Sequence, residues 1–303
     1  MPSPINLNRL DLISLRLFVA TVEGGSLTVG AERCSMSLPA ASKRISELEA
    51  HIGSILLERC KRGVAPTPAG QTLMRHAIEI VAGLENLSVV MADFHRGAGG
   101  HLRLWANTSA FTGFLPALLA RYSSTYPSVM LDLEDALSEE VVRAVARGNA
   151  ELGIVADNIP VDGLKSLQCD SDELVLVMPP GHPLTGKAVV SIDEMLDYDI
   201  VGLNRATSLM RHVSAAADMV GKALKIRVQV RGFDEVCRMI AAGLGIGVLP
   251  RASIAPQIKA LDLRIARLSG MRTNRGLLLI MRGEASLSLP AQGFVDLVIS
   301  RMA

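Results

Sequence analysis

No uncharged apolar stretch approaches the ~20 residues that span a bilayer. Even the run Met239 to Leu249 is only eleven long and is broken by three glycines. An integral membrane protein is excluded. The apolar run Leu12 to Val22 carries Arg16, follows Asp11 and lacks a basic region ahead of a small-residue cleavage site. It reads as no export signal, and the cytoplasm is the expected location. An excess of one charge is also missing: 31 Lys and Arg face 30 Asp and Glu, so bulk charge neither indicates nor excludes a polyanionic partner. Cys34, Cys60, Cys169 and Cys237 form no C-x-x-C pair, and no His cluster has zinc spacing. A disulfide scaffold and a structural metal site are therefore not signalled, and four reduced thiols suit the cytoplasm. Cys169 and Cys237 read either as buried structural thiols or as a redox-sensing pair.

Signatures of catalysis are absent too. There is no GxSxG elbow, Walker loop, H-E-x-x-H or EF-hand loop, and the six histidines are scattered. Gly243, Gly245 and Gly247 follow a helical pattern, not a strand, so they predict a tight helix-to-strand turn instead of a dinucleotide fingerprint. Asn86-Leu87-Ser88 and Asn107-Thr108-Ser109 match the glycosylation tripeptide, which has no meaning without export. The reading is of no enzyme and of no required coenzyme or metal.

What is present is an ordinary globular composition, 49% apolar and 20% charged, at a length of 303 residues that suggests about two domains. The first clear division is Arg96-Gly97-Ala98-Gly99-Gly100, where a long helical pattern stops. Upstream, Leu12 to Glu23 reads as a helix broken by Gly24-Gly25, and Ser26 as the cap of a short second helix reaching Arg33. Ser37 can cap a third helix with Pro39 in its first turn, where a missing N–H costs little. Leu38, Ala41, Ile45, Leu48, Ile52 and Ile55 then make one buried stripe. From Pro68 a helix of roughly 30 residues places Leu73, Ala77, Ile80, Leu84, Leu87, Met91 and Phe94 at alternating four and three intervals. Such a seam either packs on its own domain or pairs with a second copy. A helix this long cannot bury its whole stripe on some sixty residues, which favours intermolecular pairing.

Beyond the glycines, Leu102 to Ala106, Met130 to Leu133, Leu152 to Val155 and Leu174 to Met178 read as buried strands, with helices around Leu115 to Tyr126 and Glu139 to Arg147. This alternation implies mostly parallel sheets, with ligands outside the carboxyl ends of strands.

A helix entering the DNA major groove buries one face and offers short polar or cationic side chains near its N-terminus. Ser37, Pro39, Ser42 and Lys43 supply that face. Arg59, Lys61 and Arg62 gather three cations on one turn, either a wing over the DNA backbone or a solvated loop. Residues 1–98 hold ten basic and nine acidic residues, so placement and not total charge carries this reading.

The stretch from Ser26 to Arg59 and then Arg62-Gly-Val-Ala-Pro-Thr-Pro-Ala-Gly70 resembles, long and ungapped, the winged helix-turn-helix of LysR-type transcriptional regulators. The likeness continues through the linker helix and, more loosely, through Phe114-Leu-Pro-Ala-Leu-Leu-Ala-Arg-Tyr122 and Ala241-Ala-Gly-Leu-Gly-Ile-Gly-Val-Leu-Pro250. The resemblance implies an α plus α/β chain. A winged helix-turn-helix is expected over 1–67, a linker and dimerisation helix over 68–98, and an effector domain over 99–303 with two α/β lobes like periplasmic binding proteins. The lobes are expected at about 100–160 with 268–303, and at 161–267, the chain crossing near 160–164 and 263–268. By position, Ser37, Pro39, Ser42 and Lys43 match recognition-helix residues that meet DNA, Arg62 matches the wing, and Ser35 and Arg44 are further candidates. Leu38 replaces the family's usual glutamine: it either meets a thymine methyl or packs at the head of the buried stripe. Gly30 and Cys34 replace the usual alanine and leucine, a change expected to loosen the second helix.

For the effector, the resemblance points to Asn107, Thr108 and Ser109 after the first strand of the domain, a triplet suited to an anion. Across the presumed cleft, Asn204, Arg205, Thr207 and Ser208 could form the opposing wall, with Arg205 making a paired contact to carboxylate or sulfate. Helix capping by Thr207 or Ser208 is the competing role. Phe233 and Asp234 are further pocket candidates. The implied function is DNA-binding transcriptional regulation by a homodimer or homotetramer on promoter DNA, modulated by a small anionic metabolite and reaching RNA polymerase. The alternative is a solute-binding or architectural DNA-binding protein without effector control.

Overall fold

The computed structural model describes residues 10–60, 63–96, 99–284 and 287–302, and the chain divides into two compact units, Met1–Ala92 and Asp93–Ala303. Among the described residues, no helix is long and apolar enough to cross a membrane.

The first unit has helices α1 (Leu12–Gly24), α2 (Leu27–Arg33) and α3 (Leu38–Ile52), an antiparallel hairpin of β1 (Leu57–Cys60) and β2 (Gly63–Pro66), and all but the last turn of the long helix α4 (Pro68–Arg96). Asp11 starts α1 by accepting from the Ser14 N–H at 2.9 Å and the Ser14 hydroxyl at 2.7 Å. Partial burial would raise the carboxyl's pKa, but the bonds from Ser14 and the charge of Arg44 outweigh it and hold it below its ordinary value. Ser26 and Ser37 occupy the expected cap positions of α2 and α3, but neither side chain bonds the helix N–H groups. Ala41, Ile45 and Leu48 pack with Leu17, Phe18 and Leu56 as the core of this unit. The stripe is shorter at both ends than its spacing suggests. Leu38 is 46% exposed because the first turn of α3 is exposed throughout, and Ile55 is 69% exposed because it lies past Gly53, whose left-handed backbone ends the helix.

Gly30 is a close-approach residue, not a loosening one. A Cβ at Gly30 would lie 2.2 Å from the Thr21 hydroxyl and 2.9 Å from the Thr21 backbone, so its absence lets α1 and α2 touch. Gly30→Ala is expected to destabilise the first unit by about 2 kcal/mol through overpacking. Melting curves of the two proteins followed by circular dichroism would read this, and coincident curves would remove the close-approach account.

In the second unit the order is β3 (His101–Ala106), α5 (Thr108–Thr112), α6 (Leu115–Thr125), β4 (Met130–Asp135), α7 (Ser138–Arg147), β5 (Leu152–Ala156), β6 (Lys165–Met178), β7 (Val189–Ser191), α8 (Ile192–Met195), β8 (Ile200–Leu203), α9 (Ser208–Met219), β9 (Ile226–Val230), α10 (Phe233–Ala241), β10 (Gly247–Pro250), α11 (Ala255–Ala260), β11 (Arg264–Ser269), β12 (Asn274–Met281) and α12 (Leu289–Met302). Strands β4, β3 and β5 are parallel neighbours, and β12 runs antiparallel between β5 and the first half of β6. Leu104, Leu152, Tyr122 and Phe294 fill one face of this sheet, and Val141, Val145, Val155 and Ile280 the other. The second half of β6 pairs antiparallel with β10 and β11 and belongs to a second core containing Val175, Val177, Val213, Val236 and Ile240.

Two lobes are thus joined through β6 and the β11–β12 connection, which corrects two expectations. The sheets are mixed instead of mostly parallel, because the strands that carry the chain between the lobes run against their neighbours. The crossings fall at Glu173/Leu174 within β6 and between Ser269 and Asn274, several residues after 160–164 and 263–268. The polar first half of β6 pairs with the first lobe before the strand enters the second. The glycine turn from α10 to β10 has the predicted role: Gly245 has φ +151°, and a Cβ there would come within 2.4 Å of the Asp199 carbonyl. Cys169 donates to the Leu277 carbonyl at 3.2 Å, and burial pushes its thiol up to about 12. Cys237 is pushed up to about 11 by burial in the other lobe's core. Two thiols buried in separate cores and held protonated are structural and do not form a redox pair.

Candidate nucleic-acid interface and ligand cleft

In the first unit, Ser35, Ser37, Leu38, Pro39, Ser42 and Lys43 are all exposed, so the turn before α3 and its first two turns present one polar face with a single large apolar residue. Ser35 has φ 53°, a left-handed backbone that folds the turn back so that Met36 N–H reaches the Ala31 carbonyl at 2.9 Å. Leu38, being exposed, is not the head of the buried stripe. Lys43 is 3.8 Å from Glu47 on the same helix, an exposed pair of little energetic weight. Arg44 differs from its neighbours. It donates to both Asp11 carboxylate oxygens at 3.2 and 3.3 Å and to the Ser14 hydroxyl at 3.3 Å, so it ties α3 to the start of α1. Arg62 lies outside the described residues, as do the side chains of Met91 and Phe94. On α4, Leu73 is half-buried against the first unit's own core and Ala77 is fully buried, whereas Ile80, Leu84 and Leu87 are 44%, 38% and 52% exposed.

In the second unit, a cleft between the lobes is lined by Asn107, Thr108, Ser109, Thr207, Ser208 and Phe233, as the sequence suggests. Ala136, Leu137, Ser138, Leu203 and Leu209 complete it. Asn204, Arg205 and Asp234 do not line it. The Asn204 side chain accepts from Ala206 N–H at 2.9 Å within its own turn, Arg205 is exposed, and Asp234 pairs with Arg238 at 2.6 Å. That pairing holds Asp234 below the usual carboxylate range.

The lining residues are held by the backbone ends they sit on. Asn107 caps α5 by accepting from Ala110 N–H at 3.0 Å, and its amide donates to Ser138 Oγ at 3.3 Å. Thr207 caps α9, accepting from Met210 N–H at 3.3 Å. The competing role is realised, and it leaves Ser208 facing the cleft. Thr108 donates to Asp135 at 3.0 Å, and burial raises the Asp135 carboxyl despite that bond. The helices α7, α9 and α10 all begin at the cleft, with Ser138, Ser208 and Phe233 as their first residues. Space open to the centre of a water molecule is about 20 Å3, room for about one water.

The sequence reading missed two sets of residues. Ser138, Glu139 and Glu140 open a helix directly after a strand, the same pattern that singled out Asn107, and Glu139 forms an ion pair with Arg211 of α9 across the lobes. Arg275 is the second. It is fully buried, chelates Asp172 at 3.1 and 2.5 Å, and donates to Ser109 Oγ at 2.8 Å and Ser208 Oγ at 3.5 Å. One hydroxyl from each lobe thus meets the same guanidinium beneath the cleft. Its only sequence signal is an arginine beside Gly276 at the head of an apolar run.

The comparisons agree with this architecture. The family model described as bacterial regulatory helix-turn-helix protein, lysR family, matches residues 12–71, and that described as LysR substrate binding domain matches residues 95–303. A probable RuBisCO transcriptional regulator of Phaeodactylum tricornutum is 24% identical over 90% of this chain and 91% of its own. The structure of full-length CbnR complexed with target DNA is similar at a TM-score of 0.60 and 22% identity, covering 97% of this chain and all 100% of its own. The Synechocystis CcmR regulatory domain in complex with 2-PG is similar at a TM-score of 0.62 and 22% identity, covering 67% of this chain and 97% of its own. With an N-terminal helix-turn-helix and a two-lobed C-terminal domain each matching over nearly its whole length, the chain belongs to the LysR family of transcriptional regulators.

Proposed function

We propose that this regulator binds an interrupted palindrome in promoter DNA as a homodimer or homotetramer, and that a small anionic metabolite in the interlobe cleft alters DNA geometry or contact with RNA polymerase. The observation that carries the ligand class is the convergence of three helix N-termini on a cleft lined by hydroxyls. Helix N-termini carry partial positive charge, which favours an anion. The 2-PG held by the similar CcmR domain supports occupation by a small molecule, and the DNA held by the similar CbnR supports DNA as a partner of this chain. Leu38 on that face offers apolar contact to a thymine methyl. The reading requires no coenzyme, metal or catalysis, and places the protein in the cytoplasm.

The cleft accepts about one water, and Glu139–Arg211 and the Asn158 amide to the Ser208 carbonyl, at 3.0 Å, cross from lobe to lobe. A metabolite therefore enters with the lobes further apart. It shifts that equilibrium only by its difference in affinity for the two arrangements. Retention of fragmented genomic DNA by the purified protein at physiological salt, followed by sequencing, tests the reading. A few sites sharing a dyad are expected; uniform retention with steep salt dependence would instead mark an architectural protein. A small-molecule extract added to the retained complex is expected to change the footprint, and Thr108→Val to weaken that response about tenfold by loss of a hydroxyl. DNA affinity should stay within about twofold, since the substitution lies in the other unit. An unaltered response in Thr108→Val would take that residue out of the site.

A further inference from the structure

A second cavity of about 300 Å3 lies in the effector unit outside the cleft, with Ser109, Phe114, Asp170, Ser253, Leu277 and Arg301 among its walls. It is much roomier than the cleft, and Ser109 belongs to the walls of both. Its charges are unusual. Asp172 also borders it, but both carboxylate oxygens of Asp172 are taken by Arg275. The ionic groups with exposed surface are Asp170 and Arg301, which meet at 2.7 Å and remain partly exposed, at 23% and 37%, with Asp170 Oδ1 also accepting from Ser171 N–H at 2.7 Å. The Arg301 guanidinium also lies 4.9 Å from the centre of the Phe114 ring.

A purely anionic ligand would face Asp170 and a purely cationic one Arg301, so either would meet a like charge. A neutral or apolar ligand would give the two ionic groups nothing. A molecule carrying an ammonium and a carboxylate on one carbon can insert between them, exchanging one solvent-screened ion pair for two. Its remaining bulk would lie on Phe114 and Leu277, while the buried hydroxyls of Ser109 and Ser253 offer further acceptors for an ammonium. We propose that this cavity is a second small-molecule site that takes an α-amino acid with an apolar side chain, its ammonium on Asp170 and its carboxylate on Arg301. Because Ser109 also accepts from Arg275 and faces the cleft, occupation of this site is felt where the metabolite binds.

Isothermal titration of the full chain with L-leucine, L-methionine and L-phenylalanine tests the assignment, with the N-acetyl and methyl-ester forms of each as probes of the two charges. At least one free amino acid is expected to bind, and each capped form to bind at least tenfold more weakly. Arg301→Met should weaken the free amino acid at least tenfold and abolish discrimination against the ester, while Asp170→Asn should abolish discrimination against the acetylated form. Thermal melts of the unliganded variants report their folding, and the capped ligands test wild-type protein regardless. The proposal is overturned by absence of binding for all three, by equal binding of capped and free forms, or by binding that survives both substitutions and is lost in Thr108→Val, which would put the amino acid in the cleft. The DNA selection above depends on none of these outcomes.

Discussion

Arg275→Met is expected to destabilise the effector unit by about 3–5 kcal/mol, because it leaves the Asp172 carboxylate buried without its partner. For a unit of this size that is a fall on the order of 10 °C in its unfolding transition. Arg275 is wholly buried and Asp172 nearly so, and they are register partners on β12 and β6, the two central strands nearest the lobe crossing. Asp172→Leu should cost a similar amount for the mirror reason, a guanidinium left in an apolar setting. The double substitution Arg275→Met with Asp172→Leu is expected to recover to within about 1–2 kcal/mol of the native chain, since apolar residues often replace a buried ion pair without loss. Urea titrations of the four proteins close the cycle. If the double variant is as unstable as the worse single one, the pair is not what the strands are organised around. The double variant has a further expected consequence. Ser109 from the first lobe and Ser208 from the second lose the guanidinium they share, so a stable protein with a blunted metabolite response is the predicted combination.

These residues also mark where the sequence becomes hard to read. The helices α1, α3, α6 and α7 announce themselves because their signals are local, an apolar spacing of three and four and, for α3, Pro39 in its first turn. The left-handed Gly53 that ends α3 is passed over, and the stripe reads too far, to Ile55. The buried strands Leu152–Ala156 and Leu174 to Met178 are continuous apolar runs and stand out for the same reason. The first half of β6 is different. From Lys165 to Glu173 it is polar at most positions, and only its pairing with β12, about a hundred residues further along the chain, makes it a strand. A long-range partner of this kind leaves no periodic trace, and so the lobe crossing reads ten residues early. The same distance hides the Arg275–Asp172 pair. The rule that clefts lie at strand ends finds Asn107 to Ser109 and Thr207 with Ser208 as cleft-lining residues, because that geometry is built into the fold. It over-reaches at Asn204 and Arg205, where a tight turn spends the polar groups on the turn itself, and it passes over Ser138, whose strand is mostly exposed and weakly apolar.

Ile80→Glu with Leu87→Glu is expected to reduce self-association about a thousandfold or more. Leu73 packs against the first unit's own core and Ala77 is buried, so the exposed part of the stripe that the structure describes begins at Ile80. Ile80, Leu84 and Leu87 continue the same spacing and are exposed on a helix of 29 residues, about 43 Å long. Burying one such side chain contributes about 2 kcal/mol. A symmetric pair buries each position twice, so even one substituted position removes about 4 kcal/mol, which is close to three orders of magnitude in a dissociation constant. Sedimentation of the native and doubly substituted chains reads this directly. DNA binding should follow, since a dimer on a dyad gains its second half-site at an effective concentration and a monomer does not, a difference of about 10²–10⁴ in affinity. The substituted protein is expected to keep the melting transition of its first unit, because neither residue belongs to that core. Should it sediment as the native chain does, the exposed stripe has some other use and pairing must be sought on another surface.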